Sequence, residues 1–492
     1  MSTSADIKSY PVNPCIAILG VPFDNVTTAD AVALVEQMVR SRRPHYLVTA
    51  NVDFLVQAQE DVELQRILFD AHLVLCDGTP LVWASRMLGN PLPERVAGSD
   101  LVPLLIRVAA EKNYRLFFLG GTPESTELAL SKIKAQYPGL SIVAYSPPFN
   151  KLLEMDHDEI KRRIQEARPD FLFVSFGCPK QEKWITMHYQ SLGVPVSAGV
   201  GGTIDFLAGH LKRAPVWMQR TGTEWIFRLL QEPRRLFRRY VKDLWVFGWS
   251  ILGQWWQLQF RRRAQSGPVP VSTPVKAEQD WQWIKLPARL DMAAVRDDVM
   301  LLDQFLADGR HCLLEMTKVE FIDSTGVGFL IRVQKKIRAT GRQLVLLAPS
   351  AAVRRALSLM RLQDLFASAL DFDSAQRLIE ARALEQTSSV AGDPGALSKS
   401  LAWQGEITAA NAVEVWQLTE AGLNTAAASS QRLAIDLSRV RFLDSTGLGL
   451  MIRAKKLSKR LGVQLQFTAA QPAVRNVLQL ARLEAFLLGE SS

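Results

Sequence analysis

The side chain best suited to catalysis in this sequence is an aspartate that follows a short apolar run. Asp77 lies in "LVLCDGTPLVW" (73–83), and a carboxylate at the end of a buried strand can act as a general base. Thr49 and Asn51 follow a similar run in "VTANVDF" (48–54). Asp-Gly and Asn are also common in simple turns, so the residues alone leave catalysis and turn formation open.

A second candidate site is the segment "VSFGCPKQEKWI" (174–185). Lys180, Gln181 and Glu182 open a helical pattern directly after a strand-like run. Free backbone N–H groups and a lysine at the start of a helix favour the binding of an anion. An ordinary strand–helix connection with N-terminal capping explains the same residues, and both interpretations stay open.

Arginine and tryptophan crowd the stretch from 213 to 263. A proline interrupts its helical pattern, which predicts two helices that meet near Glu232. Spacings of seven and four residues place Arg228, Arg235 and Arg239 near one face. Tryptophan and arginine beside an aliphatic face are typical of a membrane interface, whereas a solvated basic helix on a core stripe is the alternative. The other arginines singled out in this stretch are Arg213, Arg220, Arg234 and Arg238.

The bulk composition limits the class of protein. A net charge of +9 and a pI of about 9.4 favour an anionic partner, but no nucleic-acid-binding motif accompanies the charge. The cysteines are far apart and form no CxxC pair, which predicts reduced thiols in the cytoplasm and no zinc site. "DHD" (156–158) resembles a metal-binding Asp-x-Asp, but it precedes a helical pattern and is expected to be an N-cap. We expect neither a signal peptide nor a membrane-spanning segment, because no apolar run reaches about 18 residues.

The elements that position these residues alternate in type over residues 1–260. Continuous apolar runs alternate with helical patterns, which predicts a Rossmann-like, mostly parallel sheet with helices on both faces and a C-terminal basic helical appendage. Ligands bind beyond the carboxyl ends of such strands, so the turns "TAN", "CDG", "LGG", "FGCPKQE" and "GVGG" are expected to face one site. The predicted strands are "CIAILGVPF", "HYLVTANV", "LVLCDG", "YRLFFLGG", "LSIVAYS", "DFLFVSFG" and "VPVSAGVGG".

The second half of the chain is a tandem duplication of a small α/β unit. "FIDSTGVGFLIR" recurs as "FLDSTGLGLMIR", and Asp323 and Asp444 are 444 − 323 = 121 residues apart. We place the enzyme-like domain at 1–262, a Pro/Ser/Val-rich linker at 263–279 and a second linker at 373–397. The two repeats are placed at 280–372 and 398–492.

The ordered motifs of the first half resemble those of the WecG/TagA/CpsF family of bacterial glycosyltransferases, over residues 14–245. The resemblance implies inverting transfer of a sugar from a UDP-sugar to a lipid-linked acceptor, typically an undecaprenyl diphosphate sugar at the cytoplasmic membrane face, without a metal or cofactor. The motifs are "TAN", "CDGTPLVW", "ERVAGSDL", "FFLGGTPE", "FGCPKQEKWI", "GVGGTIDFLAG" and the segment around "TEWIFRL" and "EPRR".

The same resemblance implies a role for each matching residue. Asp77 would be the general base, and Thr49 and Asn51 would line its pocket. Cys76 and Pro80 depart from the small residues common at these positions, which leaves the donor sugar open. The residues implied in nucleotide-sugar binding are Arg95, Gly98, Asp100, Lys180, Gln181, Glu182 and the appendage arginines Arg213, Arg220, Arg228, Arg234 and Arg235.

The Asp-Ser-Thr-Gly turns are not predicted to be nucleophiles, because no histidine accompanies either motif. Each repeat resembles the STAS domain of anti-sigma-factor antagonists, in which the hydroxyl residue before the glycine is phosphorylated by a partner kinase. That residue is Thr325 in the first repeat and Thr446 in the second. Turns that simply cap helices are the alternative.

Two functions remain open at this point. The first is a peripheral enzyme on the inner face of the cell membrane, which extends a polyprenyl-linked saccharide for a surface or exported polysaccharide under the control of two STAS domains. The second is a non-catalytic sugar-nucleotide-binding scaffold that acts as a STAS phospho-switch. The expected partners are a UDP-sugar, a lipid-linked saccharide, a membrane surface and a kinase or anti-sigma-like protein, without nucleic acid; self-association of the chain stays open.

Overall fold

The computed structural model describes residues 13–211, 213–215, 217–218, 223–259, 273–278, 281–295, 310–387, 390–391, 400–428 and 432–488. Arg220 lies outside these ranges. The backbone of Arg235 is described, but its side chain is not. The predicted roles of these two side chains in nucleotide-sugar binding therefore fall outside the described structure.

The first domain is built on a parallel sheet of six strands in the order β4–β3–β8–β7–β5–β6. All five strand pairs of this sheet are parallel, as the sequence predicts. Strand β4 lies on one side of β3, and the later strands β8, β7, β5 and β6 lie on its other side. The strand order therefore changes direction at β3, and sheets of this kind have a ligand-binding crevice at that point, here between β3 and β8. The strands are β3 (His45–Ala50), β4 (Leu73–Cys76), β5 (Leu116–Gly120), β6 (Ile142–Tyr145), β7 (Phe171–Ser175) and β8 (Val196–Gly199).

Helices cover both faces of this sheet, which confirms the predicted fold class. Neighbouring residues of a strand belong to different hydrophobic cores. Leu47 and Val48 of β3 are separated in this way, and so are Phe171 and Leu172 of β7. Strands buried on both faces read as continuous apolar runs, because neither face is exposed to water. The helices are α1 (Thr28–Ser41), α2 (Val52–Ala58), α3 (Val62–Asp70), α4 (Thr79–Met87), α5 (Gly98–Lys112), α6 (Pro123–Gln136), α7 (His157–Ala167), α8 (Lys180–Leu192) and α9 (Thr203–Ala208).

The first predicted strand, "CIAILGVPF", is instead a hairpin outside the six-stranded sheet. Strands β1 (Asn13–Ile18) and β2 (Val21–Asn25) pair with each other in antiparallel fashion. Leu19 and Gly20 have φ values of 48° and 85°, and this left-handed backbone forms the tight turn that joins β1 to β2. Apolarity alone did not reveal the turn, because Leu-Gly is a weak turn signal beside an unbroken apolar run.

Two helices form the appendage, as predicted. Helix α10 spans Glu224–Gln231, and helix α11 spans Pro233–Gln259. Pro233 is the first residue of α11, a position at which a missing N–H costs nothing. Helix α11 packs against α2 beside the crevice.

The first repeat forms a five-stranded sheet in the order β15–β14–β12–β10–β9, and β11 pairs with β13 beside it. Its strands are β9 (Thr273–Glu278), β10 (Trp281–Lys285), β11 (Arg289–Leu290), β12 (His311–Glu315), β13 (Phe321–Ile322), β14 (Leu344–Leu347) and β15 (Ala367–Ala369). Its helices are α12 (Ser324–Ala339), α13 (Ala351–Leu359) and α14 (Phe372–Thr387).

The second repeat forms a four-stranded sheet in the order β16–β17–β18–β19. Its strands are β16 (Val390–Ala391), β17 (Ser400–Ile407), β18 (Arg432–Leu443) and β19 (Gln464–Thr468). Its helices are α15 (Ala412–Ala428), α16 (Ser445–Leu461), α17 (Pro472–Leu480) and α18 (Glu484–Leu488).

Parts of both segments that we assigned to linkers carry regular structure. Strand β9 lies within 263–279 and pairs with β10, and most of α14 lies within 373–397. Ala375 and Ile379 of α14 pack with buried residues of the first repeat. Composition alone does not predict these elements, because strand pairing and packing against the first repeat stabilise them.

Candidate active site

A cavity of about 610 Å³ opens beyond the carboxyl ends of β3, β4, β7 and β8. This volume lies in the range typical of small-molecule sites. Four of the five predicted strand-end turns converge here: Thr49, Asn51, Asp77, Gly177 and Gly199 all line the cavity.

One predicted turn is not part of this lining. The "LGG" turn after β5, with Gly120 and Gly121, is absent from the described residues that line the cavity. A Cβ on Gly121 would meet Thr126 Oγ1 at 2.9 Å, so this turn packs closely against α6. Strand β5 is separated from the crevice by β7, which explains the difference.

Asp77 is the carboxylate best placed for proton transfer. Its Oδ2 atom accepts a 3.4 Å hydrogen bond from the Gly98 N–H at the start of α5. Burial raises the pKa of Asp77 above its ordinary value, while the charges of Arg228 and Arg95 oppose the rise and Glu224 adds to it. A raised pKa beside a cavity is typical of a catalytic acid or base. Gly98 lines the cavity and lets α5 approach β3, since its Cβ would lie 3.1 Å from Thr49 Oγ1.

Arg95 and Asp100 form a support behind the cavity rather than part of its wall. Arg95 donates to Glu224 Oε2 at 2.6 Å and to Asp100 Oδ2 at 2.8 Å. Arg213 also donates to Asp100. Arg95, Asp100 and Arg213 are all absent from the described residues that line the cavity. Their ion pairs instead tie α5 to the appendage, because Glu224 is the first residue of α10.

Arg228 is the predicted appendage arginine that reaches the cavity. Its guanidinium lies 5.0 Å from the centre of the Phe206 ring, and its Nη2 lies 3.4 Å from Glu224 Oε1. Its Nε atom is buried without a hydrogen-bond partner, and Arg228 is among the residues that line the cavity. Arg234, in contrast, is exposed on α11 and does not line the cavity.

Gln181 is the residue of the "PKQE" turn that reaches the cavity. Its Oε1 atom accepts N–H bonds from Gly177 and Gly201, both at 3.1 Å, and so joins the turns after β7 and β8. Its Nε2 atom donates to Glu182 Oε1 at 2.7 Å. Glu182 is buried, which raises its pKa to about 7. Lys180 points away from this wall and donates to the Asn150 carbonyl.

Several lining residues were not predicted. Asp53 lies on the first turn of α2, and its Oδ2 is 3.8 Å from Arg239 Nη1. Arg239 and Tyr240 also line the cavity. The helical spacing placed Arg239 near the same face as Arg228, but it was not predicted to be a binding residue. The sequence indicates Asp53 only weakly, through its position two residues after Asn51 at the end of strand β3. Among the described residues, no group of three His, Cys, Asp or Glu is placed to hold a metal ion.

The appendage presents a broad apolar surface to solvent, which we call the aromatic face. Trp245 and Trp249 lie one helical turn apart on α11, with ring centres 5.8 Å apart. No helix in the described ranges is both long enough and apolar enough to span a bilayer. The exposed residues of the aromatic face are Trp225, Ile226, Leu230, Phe237, Val241, Leu244, Trp245, Trp249, Leu252 and Trp256.

The fold and the position of the cavity are those of an α/β protein that binds its ligand at the carboxyl edge of a parallel sheet. Residues 16–261 match the Glycosyl transferase WecG/TagA/CpsF family, and the chain belongs to this family of glycosyltransferases. Residues 275–375 match the STAS domain, and residues 397–489 match the STAS domain described as Mlab. The resemblances found in the sequence are thereby confirmed.

Relatives in Staphylococcus aureus have a defined activity. The chain is 31% identical over 238 residues to the N-acetylglucosaminyldiphosphoundecaprenol N-acetyl-beta-D-mannosaminyltransferase of strain MW2. The match covers 48% of this chain and 91% of the relative. The protein of the same description from strain NCTC 8325 / PS 47 gives the same identity and coverage.

Proposed function

We propose that the first domain transfers a sugar from a UDP-sugar to a polyprenyl-diphosphate-linked saccharide, with inversion at the anomeric carbon. The observation that carries this proposal is that Asp77, whose buried carboxylate has a raised pKa, lines one cavity together with Arg228 and Arg239. The names of the relatives supply the acceptor class, an undecaprenol diphosphate that carries N-acetylglucosamine. Release of UDP that depends on such an acceptor is the direct test.

In the proposed reaction Asp77 accepts the proton of the acceptor hydroxyl as its oxygen attacks the anomeric carbon. The bond between that carbon and the UDP oxygen breaks, and the electron pair leaves with UDP. Negative charge grows on the diphosphate, where Arg228 and Arg239 stabilise it electrostatically. Thr49, Asn51 and Gln181 complete the wall that orients the two substrates.

Arg95, Asp100 and Arg213 act in this proposal by holding the appendage against α5. Glu182 acts by fixing the amide of Gln181. Lys180 and Arg234 lie outside the cavity lining among the described residues, and we assign them no contact with the nucleotide.

We expect Arg228→Lys to weaken UDP binding about tenfold, the effect of losing one charge-assisted hydrogen bond. Lysine keeps the charge but lacks the planar guanidinium that can meet two phosphate oxygens. Isothermal titration with UDP measures the change. Arg238→Lys is the matched control, because Arg238 is exposed on α11 and outside the cavity lining; equal losses in both variants would contradict the assignment.

Transfer is expected to fail at low pH. Asp77 must be deprotonated to act as a base, so activity is present above its folded pKa and is lost as the pH falls through it. Because burial raises that pKa, the loss should occur above the ordinary value of 3.8. The profile of kcat/KM is measured in parent, Arg228→Gln and Glu182→Gln.

Arg228→Gln and Glu182→Gln distinguish titration of Asp77 from titration of Glu182. Arg228 lowers the pKa of Asp77, so Arg228→Gln should move the acid limb to higher pH. Glu182, with a pKa of about 7, is another buried carboxyl close to the cavity. A limb that disappears in Glu182→Gln would belong to Glu182 and would contradict the assignment to Asp77.

The aromatic face supports a place for the enzyme at the inner surface of the cell membrane, where a polyprenyl-linked acceptor is held. Indole and aliphatic side chains favour the headgroup boundary, and the arginines of α10 and α11 favour anionic lipid. The product would serve the biosynthesis of a surface or exported polysaccharide. The STAS domains would regulate the transfer.

A further inference from the structure

The first STAS domain meets the enzyme domain through direct backbone contact. Gly328 belongs to the motif "DSTGVG", and a Cβ there would lie 2.4 Å from the carbonyl oxygen of Cys15 on β1. Cys15 Sγ donates to the Gly328 carbonyl at 3.0 Å. On the other side, a Cβ on Gly20 would lie 2.4 Å from the Met360 carbonyl oxygen. The two backbones approach this closely only because glycine occupies both positions.

Apolar packing and charge extend this contact. Phe69 on α3 is 2% exposed and packs within the hydrophobic core of the first STAS domain. Its ring lies 5.9 Å from that of Phe366. Nearby, Arg338 Nη1 lies 3.0 Å from Asp70 Oδ1 and Lys335 Nζ donates to the Ala71 carbonyl at 2.8 Å. A core shared by two domains indicates a specific interface.

Gln254 connects the first Asp-Ser-Thr-Gly turn to the appendage. This side chain on α11 is fully buried, and its Nε2 atom donates to Ser324 Oγ and to the Ala17 carbonyl, both at 2.9 Å. Its Oε1 atom accepts the Leu19 N–H at 2.9 Å. The same helix carries Arg239 into the cavity, so Ser324 is linked to the nucleotide site through Gln254 and about 22 Å of helix α11.

Glu63 connects the second turn to the helix of the "PKQE" segment. Glu63 Oε1 accepts the Ser445 N–H at 2.6 Å, and Oε2 accepts the Ser445 hydroxyl at 2.8 Å. A carboxylate at the start of α16 is stabilised by the exposed N–H groups of that helix. Lys183 Nζ lies 2.9 Å from the same Oε2 atom, and Lys183 belongs to α8, whose first turn carries Gln181.

The predicted phospho-acceptors point inward in this arrangement. Thr325 is fully buried, and the Oγ1 atoms of Thr325 and Thr446 are buried without a hydrogen-bond partner. The serines beside them, Ser324 and Ser445, make the contacts with the enzyme domain. Neither threonine Oγ1 atom is exposed to a kinase in this arrangement.

We infer that the partner of both Asp-Ser-Thr-Gly turns is the chain's own glycosyltransferase domain, and that the docked STAS domains hold α8 and α11 in the arrangement that binds the nucleotide. Gln254 and Glu63 are positioning residues in this account, since they act through the helices that carry Arg239 and Gln181. The inference rests on the proposed function only for the identity of the nucleotide as a UDP-sugar.

The duplication supplies a matched pair of substitutions in the full-length chain. Gly328→Ala places a methyl group 2.4 Å from the Cys15 carbonyl, whereas Gly449→Ala, at the equivalent position of the second domain, meets Leu153 Cδ2 at an ordinary 3.8 Å. Alanine favours helix over glycine at both sites, so helix propensity does not explain a difference. We expect Gly328→Ala to speed hydrogen–deuterium exchange in β1 and in α11 around Gln254, and Gly449→Ala to leave it unchanged.

UDP binding reports the functional consequence. In titrations with UDP, Gly328→Ala should raise the dissociation constant about tenfold and Gly449→Ala less than about twofold. Circular dichroism establishes that both variants are folded. Faster exchange with unchanged UDP affinity, or parental exchange in Gly328→Ala, would overturn the inference. If UDP fails to bind the parent chain, the proposed donor is wrong, while the exchange data still decide whether docking occurs.

A charge substitution tests the second contact independently. Ser445→Asp sets a carboxylate against Glu63 and should release the second STAS domain, with faster exchange in α3 and α8 and about tenfold weaker UDP binding. Adding Glu63→Gln should restore both values, because the introduced carboxylate would then be free to pair with Lys183. Ser350→Asp, at the N-cap of α13, is the control for a new helix-capping carboxylate. Equal effects of Ser350→Asp, or no rescue by Glu63→Gln, would contradict the inference.

Discussion

Replacement of Asp77 by Asn should lower the rate of sugar transfer by about 10² to 10⁴-fold, the usual contribution of a general base. Asparagine has nearly the same shape and can still accept the Gly98 N–H, but it cannot take a proton from the acceptor hydroxyl. UDP affinity should not fall, since the substitution removes a negative charge from a cavity that binds a diphosphate. Single-turnover transfer and UDP titration measure the two effects separately.

Asp158→Asn is the matched control for this substitution. Asp158 belongs to the "DHD" segment and lies on the first turn of α7, as the capping interpretation of that segment predicts. Its carboxylate pairs with Lys161 at 2.8 Å on the surface. Transfer should stay at the parental rate in this variant. A fully active Asp77→Asn chain would show that another group accepts the proton.

Replacement of Trp245, Trp249 and Trp256 by Ser should reduce partition into anionic vesicles by about 10²-fold or more, because each indole buries a large apolar area at the headgroup boundary. These side chains are 68%, 62% and 58% exposed, so the substitutions remove little from the protein interior. The substitutions remove tryptophans and so change the fluorescence directly. Co-sedimentation with phosphatidylglycerol vesicles is therefore the better measurement of binding. Added salt should weaken the binding of the parent.

Trp83→Ser provides the control for the loss of an exposed indole. Trp83 is 53% exposed on α4, outside the appendage. Its replacement should leave vesicle binding unchanged within about twofold, if the aromatic face is the membrane contact. Equal losses from Trp83 and from the three appendage residues would indicate a non-specific effect of surface apolarity. A triple variant that binds vesicles like the parent would exclude the aromatic face.

The parallel sheet and the centre of the site follow from local sequence patterns. Apolar runs of β-strand length, each followed by polar or glycine turns, indicate strands buried on both faces. Because parallel strands place their carboxyl ends on one edge, Thr49, Asn51, Asp77 and Gln181 meet without any need for long-range information. The break between α10 and α11 is equally local, since it depends on Pro233.

Other features depend on contacts that no local pattern records. The family resemblance implies a role for Arg95 and Asp100 in nucleotide-sugar binding, yet their charges pair with Glu224, Arg213 and each other. Glu182 is a buried support for Gln181 rather than a wall of the cavity, although both belong to one short turn. Which of two adjacent polar side chains faces a ligand depends on packing across the sheet.

The role of the duplicated motif shows the same limit. Helix capping is one of the two interpretations of the turn, and in the structure the capping groups are the carboxylates of Asp323 and Asp444, which accept backbone N–H groups. Periodicity gives no indication that Gly328 meets Cys15 or that Ser445 meets Glu63, because those residues are more than 300 positions apart. The sequence therefore reveals the duplicated turn but not the residues that it contacts in the enzyme domain.

The central claim is that this chain transfers a sugar from a UDP-sugar to a polyprenyl-diphosphate-linked saccharide. The most direct test incubates the full-length protein with a panel of UDP-sugars and undecaprenyl diphosphate N-acetylglucosamine, and measures the release of UDP. The account predicts UDP release from at least one donor, dependent on the lipid-linked acceptor and absent in Asp77→Asn. Release that is independent of the acceptor, or no release from any UDP-sugar, would contradict it.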